Sequence, residues 1–208
     1  MSRVVLIDAG GANIGSVRYA LERLGVDAAL TGDAETIRRA ERVILPGVGA
    51  AAPAMARLRE LGLIDTIRTL TQPLLGICLG MQLLFDRSDE AGSAPSDANG
   101  IACLGLLPGT VAKLPEAAGI RIPHMGWNTL QPRRDDALLD GIAAGDFAYF
   151  VHSYAAPVTD DCIASSEHGT PFAAVVRRGR VAGAQFHPER SAQVGARVLE
   201  NFLRMEPA

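Results

Sequence analysis

The chain opens with short, continuously apolar runs that alternate with segments of helical periodicity. The first run, residues 4–7, is apolar at every position, which is typical of a strand buried on both faces of a sheet. After it, apolar residues recur at helical spacing, at Ile14, Val17, Leu21 and Leu24. Asn13 is the expected N-cap of this first helix, and Gly25 is its expected C-terminal stop.

The same alternation continues over the first 90 residues. Further strand-length runs are expected at residues 28–30, 43–45 and 73–77. Helical segments are expected from Asp33 onward, at 54–61 and at 63–70. Because strands that alternate with helices usually form a parallel sheet, the pattern predicts an α/β fold. We expect an open, mainly parallel twisted sheet with helices on both faces.

The second half of the chain has a different pattern. Residues 88–100 are rich in small and polar types and are expected to form a loop. Strand-like runs follow at residues 104–111, 147–151, 172–176 and 181–186. Since the connection between the last two is too short for a crossover helix, we expect them to pair antiparallel.

A final helix is expected from Ser191, with apolar residues sharing one face at Val194, Val198, Phe202 and Met205. The sequence contains no internal repeat and no linker long enough to divide it. A length of 208 residues suits one α/β domain and is ample for a hydrophobic core. We therefore expect residues 1–208 to form a single domain.

Charge and cysteine content exclude several classes of function. The formal net charge of −3 argues against a protein that binds nucleic acid through its phosphates. Three cysteines do not make a disulfide framework, and no signal peptide or membrane-length apolar run is evident. We therefore expect a cytoplasmic protein with reduced thiols and with neither a nucleic-acid nor a membrane partner.

The sharpest candidate for chemistry is Gly-Ile-Cys-Leu-Gly at residues 76–80, where an apolar strand meets a predicted helix. Glycines two residues before and after the centre permit the turn of a nucleophile elbow, here with cysteine in place of serine. Cys78 would lie at a helix N-terminus, which favours the thiolate, and the N–H of Leu79 would face a developing oxyanion. The alternative is a structural cysteine at a strand end, which we expect for Cys103 and Cys162.

A nucleophilic cysteine needs a general base, and Gln-Phe-His-Pro-Glu at residues 185–189 offers one. Pro188 favours an extended conformation at His187. In an extended chain the side chains of residues 187 and 189 lie on the same face, so Glu189 could hold the imidazole of His187. The alternative is a surface histidine and glutamate at the end of a strand.

Other strand ends carry weaker signals. Pro-Gly-Val-Gly at residues 46–49 would let the backbone approach a ligand and supply a second oxyanion donor. Residues 10–15 match neither a dinucleotide fingerprint nor a P-loop, because alanine interrupts the glycines and no lysine follows. Residues 152–154 could line the same cleft as Cys78, whereas His168 is expected to be an exposed loop residue.

Together, residues 76–82 and 186–189 resemble the class I (triad) glutamine amidotransferases, and the resemblance extends over nearly the whole chain. It implies a flavodoxin-like sheet with an antiparallel extension, and it implies neither a cofactor nor a metal ion. It also implies that Cys78 attacks the side-chain amide of L-glutamine, while His187 passes a proton to the departing ammonia. Glu189 would orient His187, and water would release glutamate from a glutamyl thioester.

The resemblance implies further roles around the substrate. The oxyanion hole would lie between Val48 and Leu79. The residues that match positions holding the glutamine are Gly47, Gly49, Gln82, Glu90, Ser153 and Tyr154.

Three further sequence segments resemble those of one branch of this family, the glutaminase subunits of histidine biosynthesis. They are residues 46–49, Pro-His-Met-Gly-Trp-Asn at 123–128 and Tyr-Phe-Val-His-Ser-Tyr at 149–154. Members of this branch dock as heterodimers on a cyclase subunit with a (β/α)₈ barrel, which receives the ammonia out of contact with water. The residues that match positions near that interface are Asn13, Met125, Trp127, Tyr149 and Arg190.

The chain departs from the usual pattern of this branch at the expected interface. Ala9, Ala12 and Ala51 stand where tyrosine, glycine and phenylalanine are usual, and Arg190 stands where lysine is common. The other interpretations are a glutaminase of anthranilate or aminodeoxychorismate synthase, a self-contained cysteine hydrolase, and a glutamine-binding module without turnover.

Overall fold

The structure is a computed structural model, and it describes residues 4–10, 14–90, 100–116 and 118–206. The strands in the first half are β1 (Val4–Ile7), β2 (Ala28–Thr31), β3 (Arg42–Gly47), β4 (Leu74–Cys78), β5 (Phe85–Ser88), β6 (Ile101–Ala102) and β7 (Leu107–Lys113). Those in the second half are β8 (His124–Thr129), β9 (Gln131–Pro132), β10 (Phe147–His152), β11 (Tyr154–Ala155), β12 (Cys162–Glu167), β13 (Pro171–Arg178) and β14 (Val181–Ala184). The α-helices are α1 (Ile14–Arg23), α2 (Ala34–Arg39), α3 (Ala51–Glu60), α4 (Leu63–Arg68), α5 (Leu79–Gln82) and α6 (Ala192–Arg204).

The central sheet has the strand order β2-β1-β3-β4-β14-β13-β12-β9 within the described residues. The first five strands in this order are parallel, and the remaining pairings are antiparallel. The predicted mainly parallel sheet with an antiparallel extension is therefore confirmed. Because β4 lies between β3 and β14, the carboxyl ends of these three strands meet at one edge, where open α/β sheets place their sites.

Helices cover both faces of this sheet. In β1, Val4 and Leu6 pack into one cluster with residues of α1 and α6, such as Leu21 and Phe202. Val5 and Ile7 pack into a second cluster with residues of α2, α3 and α4. The first strand is apolar throughout because successive side chains enter two different cores.

Helices form where the sequence predicts them, although α3 begins three residues earlier than expected, at Ala51, and α4 ends two residues earlier, at Arg68. Asp33 caps α2, its carboxylate accepting hydrogen bonds from the N–H and the hydroxyl of Thr36, both at 2.7 Å. The last helix follows Ser191 and buries Val198 and Phe202, as the periodicity predicts. Asn13, the predicted cap of α1, lies outside the described residues.

Several strands of the second half differ from the prediction. The strand expected at 104–111 begins three residues later, at Leu107, and β8 and β12 were not predicted. Both are rich in glycine, alanine, serine or polar residues, which carry little intrinsic strand preference. They form strands because neighbouring strands supply their hydrogen-bond partners.

β8 and β10 form a separate antiparallel ribbon in which Trp127 lies opposite Tyr149, and His124 lies opposite His152. A further small sheet has the order β11-β7-β5-β6 in the part of the chain that the structure describes.

Among the described helices, none is long and apolar enough to span a lipid bilayer.

Very close backbone packing joins the three strand ends. A Cβ atom on Gly80 would lie 1.8 Å from the carbonyl oxygen of Leu45, so α5 sits directly on β3. A Cβ atom on Gly47 would lie 2.6 Å from the backbone nitrogen of Gly80. Only hydrogen fits at these positions, and the glycines therefore determine how closely the turn after β4 approaches the end of β3.

We predict that Gly80→Ala lowers the free energy of unfolding by about 3 kcal/mol, the upper end of usual overpacking costs, because backbone cannot yield as a side chain can. Chemical denaturation measures the change. Gly15→Ala is the matched control, since the nearest side-chain atom that its Cβ would meet among the described residues is on Tyr19, at 3.9 Å. Equal stability of the two variants would contradict the close approach.

Candidate active site

Cys78 occupies the turn between β4 and α5 in a strained backbone conformation. Its φ of 53° and ψ of −113° lie outside the regions favoured by residues with a side chain. The flanking glycines allow this turn, because a Cβ on Gly76 would lie 2.6 Å from the carbonyl oxygen of Gly80. The predicted elbow geometry is therefore present. The helix that follows is only four residues long, so its dipole is weaker than the sequence suggested.

His187 and Glu189 lie beside the elbow. The Nδ1 atom of His187 is 2.9 Å from Oε1 of Glu189, and the Cys78 side chain lies close enough to the imidazole to raise its pKa. The expected contact is present, and His187 itself is extended as Pro188 predicts, but the chain after it is not. Pro188–Arg190 forms a turn of 3₁₀-helix rather than extended chain, and this turn folds Glu189 back onto the imidazole.

The electrostatics of this group favour a charged imidazole. Burial alone lowers the pKa of His187, but the hydrogen bonds and charges of Cys78 and Glu189 outweigh it and raise the pKa to about 10. His187 is therefore protonated at neutral pH. An imidazolium next to a cysteine is the arrangement that supports a thiolate nucleophile.

Ser191 links the backbone of His187 to the β8–β10 ribbon by hydrogen bonds. Its buried hydroxyl donates to the carbonyl of His187 at 2.7 Å and accepts from the N–H of Tyr149 at 2.9 Å. The N–H of His187 donates in turn to the carbonyl of Tyr149 at 2.9 Å. The position of the imidazole is thus tied directly to the backbone of β10.

The end of β3 forms the other wall of the site. Gly47, Val48, His187 and Glu189 line one small cleft together with residues of β4 and α1. Gly47 also packs against the backbone of the elbow, next to Leu79. The structure therefore brings both proposed oxyanion residues, Val48 and Leu79, to the same edge as Cys78.

The predicted glutamine-binding residues have specific contacts in the structure. Gln82 is buried, and its amide nitrogen donates to the carbonyl of Tyr154 at 2.7 Å. Glu90 accepts a hydrogen bond of 2.6 Å from the N–H of Ala51 and so caps α3. Ser153 accepts from the N–H of Leu114 through its carbonyl. Gly49 has a φ of 91°, in the region that favours glycine.

Of the described residues predicted for the partner interface, Met125, Trp127 and Tyr149 lie on the ribbon, and Arg190 packs against it from the turn after β14. Met125 is 64% exposed and Trp127 is 53% exposed. The indole of Trp127 packs edge-on against the ring of Tyr149, and the guanidinium of Arg190 lies 4.7 Å from the centre of that ring. Large exposed apolar side chains in one group are typical of a docking surface.

The remaining cysteines and His168 are structural. Burial raises the pKa of both the Cys103 and the Cys162 thiols to about 11, as expected of inert cysteines. His168 lies in the loop between β12 and β13, as predicted, but it is only partly exposed, because its ring stacks on that of His124 with the centroids 4.1 Å apart and its Nε2 contacts the carbonyl of Arg121.

Sequence reasoning missed one buried polar residue at the site. Gln185 is fully buried, and its amide lies against the sulfur of Cys78. The available signal was a glutamine that ends an otherwise apolar strand, because a buried polar side chain requires partners.

An α/β sheet with a cysteine elbow and a histidine–glutamate pair at its carboxyl edge is the arrangement expected of a triad amidotransferase. The sequence matches the glutamine amidotransferase class-I family over residues 5–205, and the chain belongs to that family. It is 62% identical over 205 residues to imidazole glycerol phosphate synthase subunit HisH of Xanthomonas axonopodis pv. citri, covering 99% of this chain and 98% of that one. It is 57% identical over 208 residues to the subunit of the same name from Xylella fastidiosa, covering 100% of both.

Solved structures share the fold. A crystal structure of a glutamine amidotransferase superposes with a TM-score of 0.70 at 22% identity, covering 96% of each chain. A glutamine amidotransferase from Thermotoga maritima gives a TM-score of 0.62 at 18% identity, covering 96% of this chain and 81% of that one.

We predict that Glu189→Gln lowers the pKa of His187 from its value of about 10, because the variant loses the carboxylate charge that favours the imidazolium. In the wild-type chain the ring should lose its proton only as the pH rises toward 10. Ring chemical shifts followed by NMR against pH measure both values. Glu200→Gln on α6 is the control and should leave the His187 titration unchanged. An unchanged midpoint of the His187 titration in Glu189→Gln would contradict the prediction.

Proposed function

We propose that this chain is the glutaminase subunit of an imidazole glycerol phosphate synthase. It hydrolyses L-glutamine to glutamate and ammonia, and it passes the ammonia to a cyclase subunit. The cyclase then makes imidazole glycerol phosphate and aminoimidazole carboxamide ribonucleotide. The hydrogen bond of His187 to Glu189, next to the strained backbone of the Cys78 elbow, carries the proposal.

The proposed chemistry uses three side chains. The Cys78 thiolate attacks the amide carbon of glutamine, and the His187 imidazolium gives its proton to the leaving nitrogen, so that ammonia departs and a thioester remains. His187, now neutral, takes a proton from water, whose oxygen attacks the thioester and releases glutamate. Glu189 holds His187 by the hydrogen bond at Nδ1 throughout.

Backbone donors next to the elbow would stabilise the tetrahedral intermediates. We assign this role to Leu79 and Val48, because the end of β3 lies against the elbow and Val48 shares a cleft with His187. Gly47, Gly49, Gln82, Glu90, Ser153 and Tyr154 would surround the glutamine.

The exposed face of the ribbon is the proposed docking site for the cyclase. Met125, Trp127, Tyr149 and Arg190 lie there, and the backbone of the same strand, β10, holds His187. Asn13 is assigned to this face by resemblance alone. Docking here would place the departure point of ammonia next to the partner, which keeps the ammonia out of contact with water.

We also propose that residues 1–208 act as one glutamine amidotransferase domain in the cytoplasm. The family match over residues 5–205 supports one domain. Cys78, Cys103 and Cys162 are all unpaired, which suits a reducing compartment.

The first test is glutamate release from L-glutamine, with and without the cyclase and its nucleotide ligand. We expect strong stimulation by the partner and its ligand. We expect Cys78→Ala to abolish release while still forming the complex, because the variant lacks the nucleophilic sulfur and the docking face is untouched. Cys103→Ala is the matched control and should retain activity.

Either of two results would count against this assignment. Residual turnover by Cys78→Ala would exclude the triad. Equal activity with and without the partner would keep the cysteine chemistry but move the chain to a self-contained hydrolase or another amidotransferase.

We predict that Trp127→Ala weakens cyclase binding by about 2 kcal/mol or more, as expected when a central aromatic anchor of an interface is truncated. Its free energy of unfolding should change little, because the side chain is half exposed. Leu30→Ala, on the exposed edge strand β2, is the control. Calorimetric titration of the variants with the cyclase measures the change, and unchanged affinity would exclude Trp127 from the interface.

A further inference from the structure

A continuous chain of hydrogen bonds leads from the nucleophile into the ribbon. The amide nitrogen of Gln185 lies 3.9 Å from the sulfur of Cys78. The amide oxygen of Gln185 accepts from Gln82 at 2.9 Å, and the nitrogen of Gln82 also donates to the carbonyl of Tyr154. The same carbonyl lies 2.9 Å from Nδ1 of His152.

The carbonyl of Tyr154 fixes the direction of every bond in this chain. A carbonyl only accepts, so Gln82 must present its N–H₂ group to it. The second hydrogen of that group then points to Gln185, which must present its oxygen to Gln82. The N–H₂ group of Gln185 consequently faces Cys78.

Burial gives this orientation an energetic consequence. Gln185 is fully buried, and a buried amide donor is costly without a good acceptor. A neutral thiol is a weak acceptor, whereas a thiolate is a charged and therefore much stronger one. The amide thus gains its full hydrogen bond only when the sulfur of Cys78 is ionised.

The histidines behind Gln82 have fixed tautomers for the same reason. Nδ1 of His152 must carry a hydrogen, because it faces the Tyr154 carbonyl, so Nε2 accepts from Nδ1 of His124 at 3.0 Å. Nε2 of His124 then accepts from Asn128 at 3.2 Å. Burial lowers the pKa of His124 to about 4 and that of His152 to about 3, so both rings are neutral at pH 7.

We propose that Gln185 is a catalytic residue of the glutaminase reaction, whose side-chain N–H donates to the Cys78 sulfur and stabilises the thiolate. His152 is a positioning residue that holds this amide in place through the Tyr154 carbonyl and Gln82. The inference rests on the proposed glutaminase function and adds a donor that the triad does not contain.

The other groups around the Cys78 sulfur include one that favours the thiol and one that favours the thiolate. Of the titratable groups nearby, His187 interacts with Cys78, Glu189 is hydrogen-bonded to His187, and His152 interacts electrostatically with His187. The carbonyl of Val151 lies 3.9 Å from the sulfur and favours the protonated thiol. The Gln185 amide and the His187 imidazolium both oppose that effect.

The test is the rate at which iodoacetamide alkylates Cys78, measured against pH by peptide mass spectrometry on the full chain. Gln185→Met keeps the volume but removes the donor, and we expect about tenfold slower alkylation at pH 7, with the midpoint shifted to higher pH. Gln185→Glu keeps an acceptor for Gln82 but places a carboxylate against the sulfur. The alkylation of Cys78 should therefore slow down more in this variant than in Gln185→Met.

Gln72→Met is the matched control. Gln72 is also buried and also donates to backbone carbonyls, but those belong to Ile37 and Arg38 on α2. It should lose comparable stability and keep the wild-type alkylation profile. If Gln185→Met and Gln185→Glu both alkylate like Gln72→Met, the proposal is wrong.

His152 is tested by pairs of variants. Asparagine can reproduce the donor at Nδ1, so His152→Asn should alkylate within about twofold of the wild-type rate, whereas His152→Phe should slow the reaction. In the double variant His152→Phe/Gln185→Met the rate should equal that of Gln185→Met alone. Fully additive losses would show that His152 does not act through Gln185.

Glutamate release by the wild-type chain with the cyclase is measured in parallel. A complex without turnover would contradict the proposed function, whatever the alkylation rates. Normal turnover in the wild type, with no effect of Gln185→Met on either assay, would contradict the donor role alone.

Discussion

The structure depends on the close approach of two backbone segments at the carboxyl edge of the sheet. Hydrogen on Gly80 is all that separates α5 from the carbonyl of Leu45, and Gly47 meets the same turn from β3. This contact sets the angle at which the chain leaves β4 and so holds Cys78 at a positive φ. The stability of the surrounding sheet offsets the strain of that conformation, which costs about 1–3 kcal/mol.

The β8–β10 ribbon relates the proposed docking face to the chemistry. Along β10, Tyr149 contributes a partly buried ring to the docking face, while its backbone N–H and carbonyl hold Ser191 and His187. Because side chains alternate across a strand, Phe150 and His152 point instead into the core. A displacement of the ribbon by a partner would therefore reach the imidazole through a few hydrogen bonds.

The histidines of the site differ in pKa because their neighbours differ in charge. His187 has an ionised partner in Glu189 and a sulfur in Cys78, so its pKa lies far above that of a free imidazole. His124 and His152 are just as buried, but their hydrogen-bond partners among the described residues are carbonyl, amide and imidazole groups, so burial dominates and keeps them neutral. One site thus contains an imidazole whose protonated form is favoured and neutral rings that orient polar side chains.

The sequence alone determined what depends on neighbouring residues. The alternation of apolar runs and helical segments predicted the parallel sheet, and the glycines around Cys78 predicted the elbow, because both signals are local. Only the tertiary structure decided the pairings between distant segments. The His124–His152 contact depends on strand register, Gln185 meets Cys78 across 107 residues, and Glu189 reaches His187 through a 3₁₀ turn rather than extended chain. Such contacts arise from the packing of whole elements, and a residue's immediate sequence does not specify which partner that packing will bring.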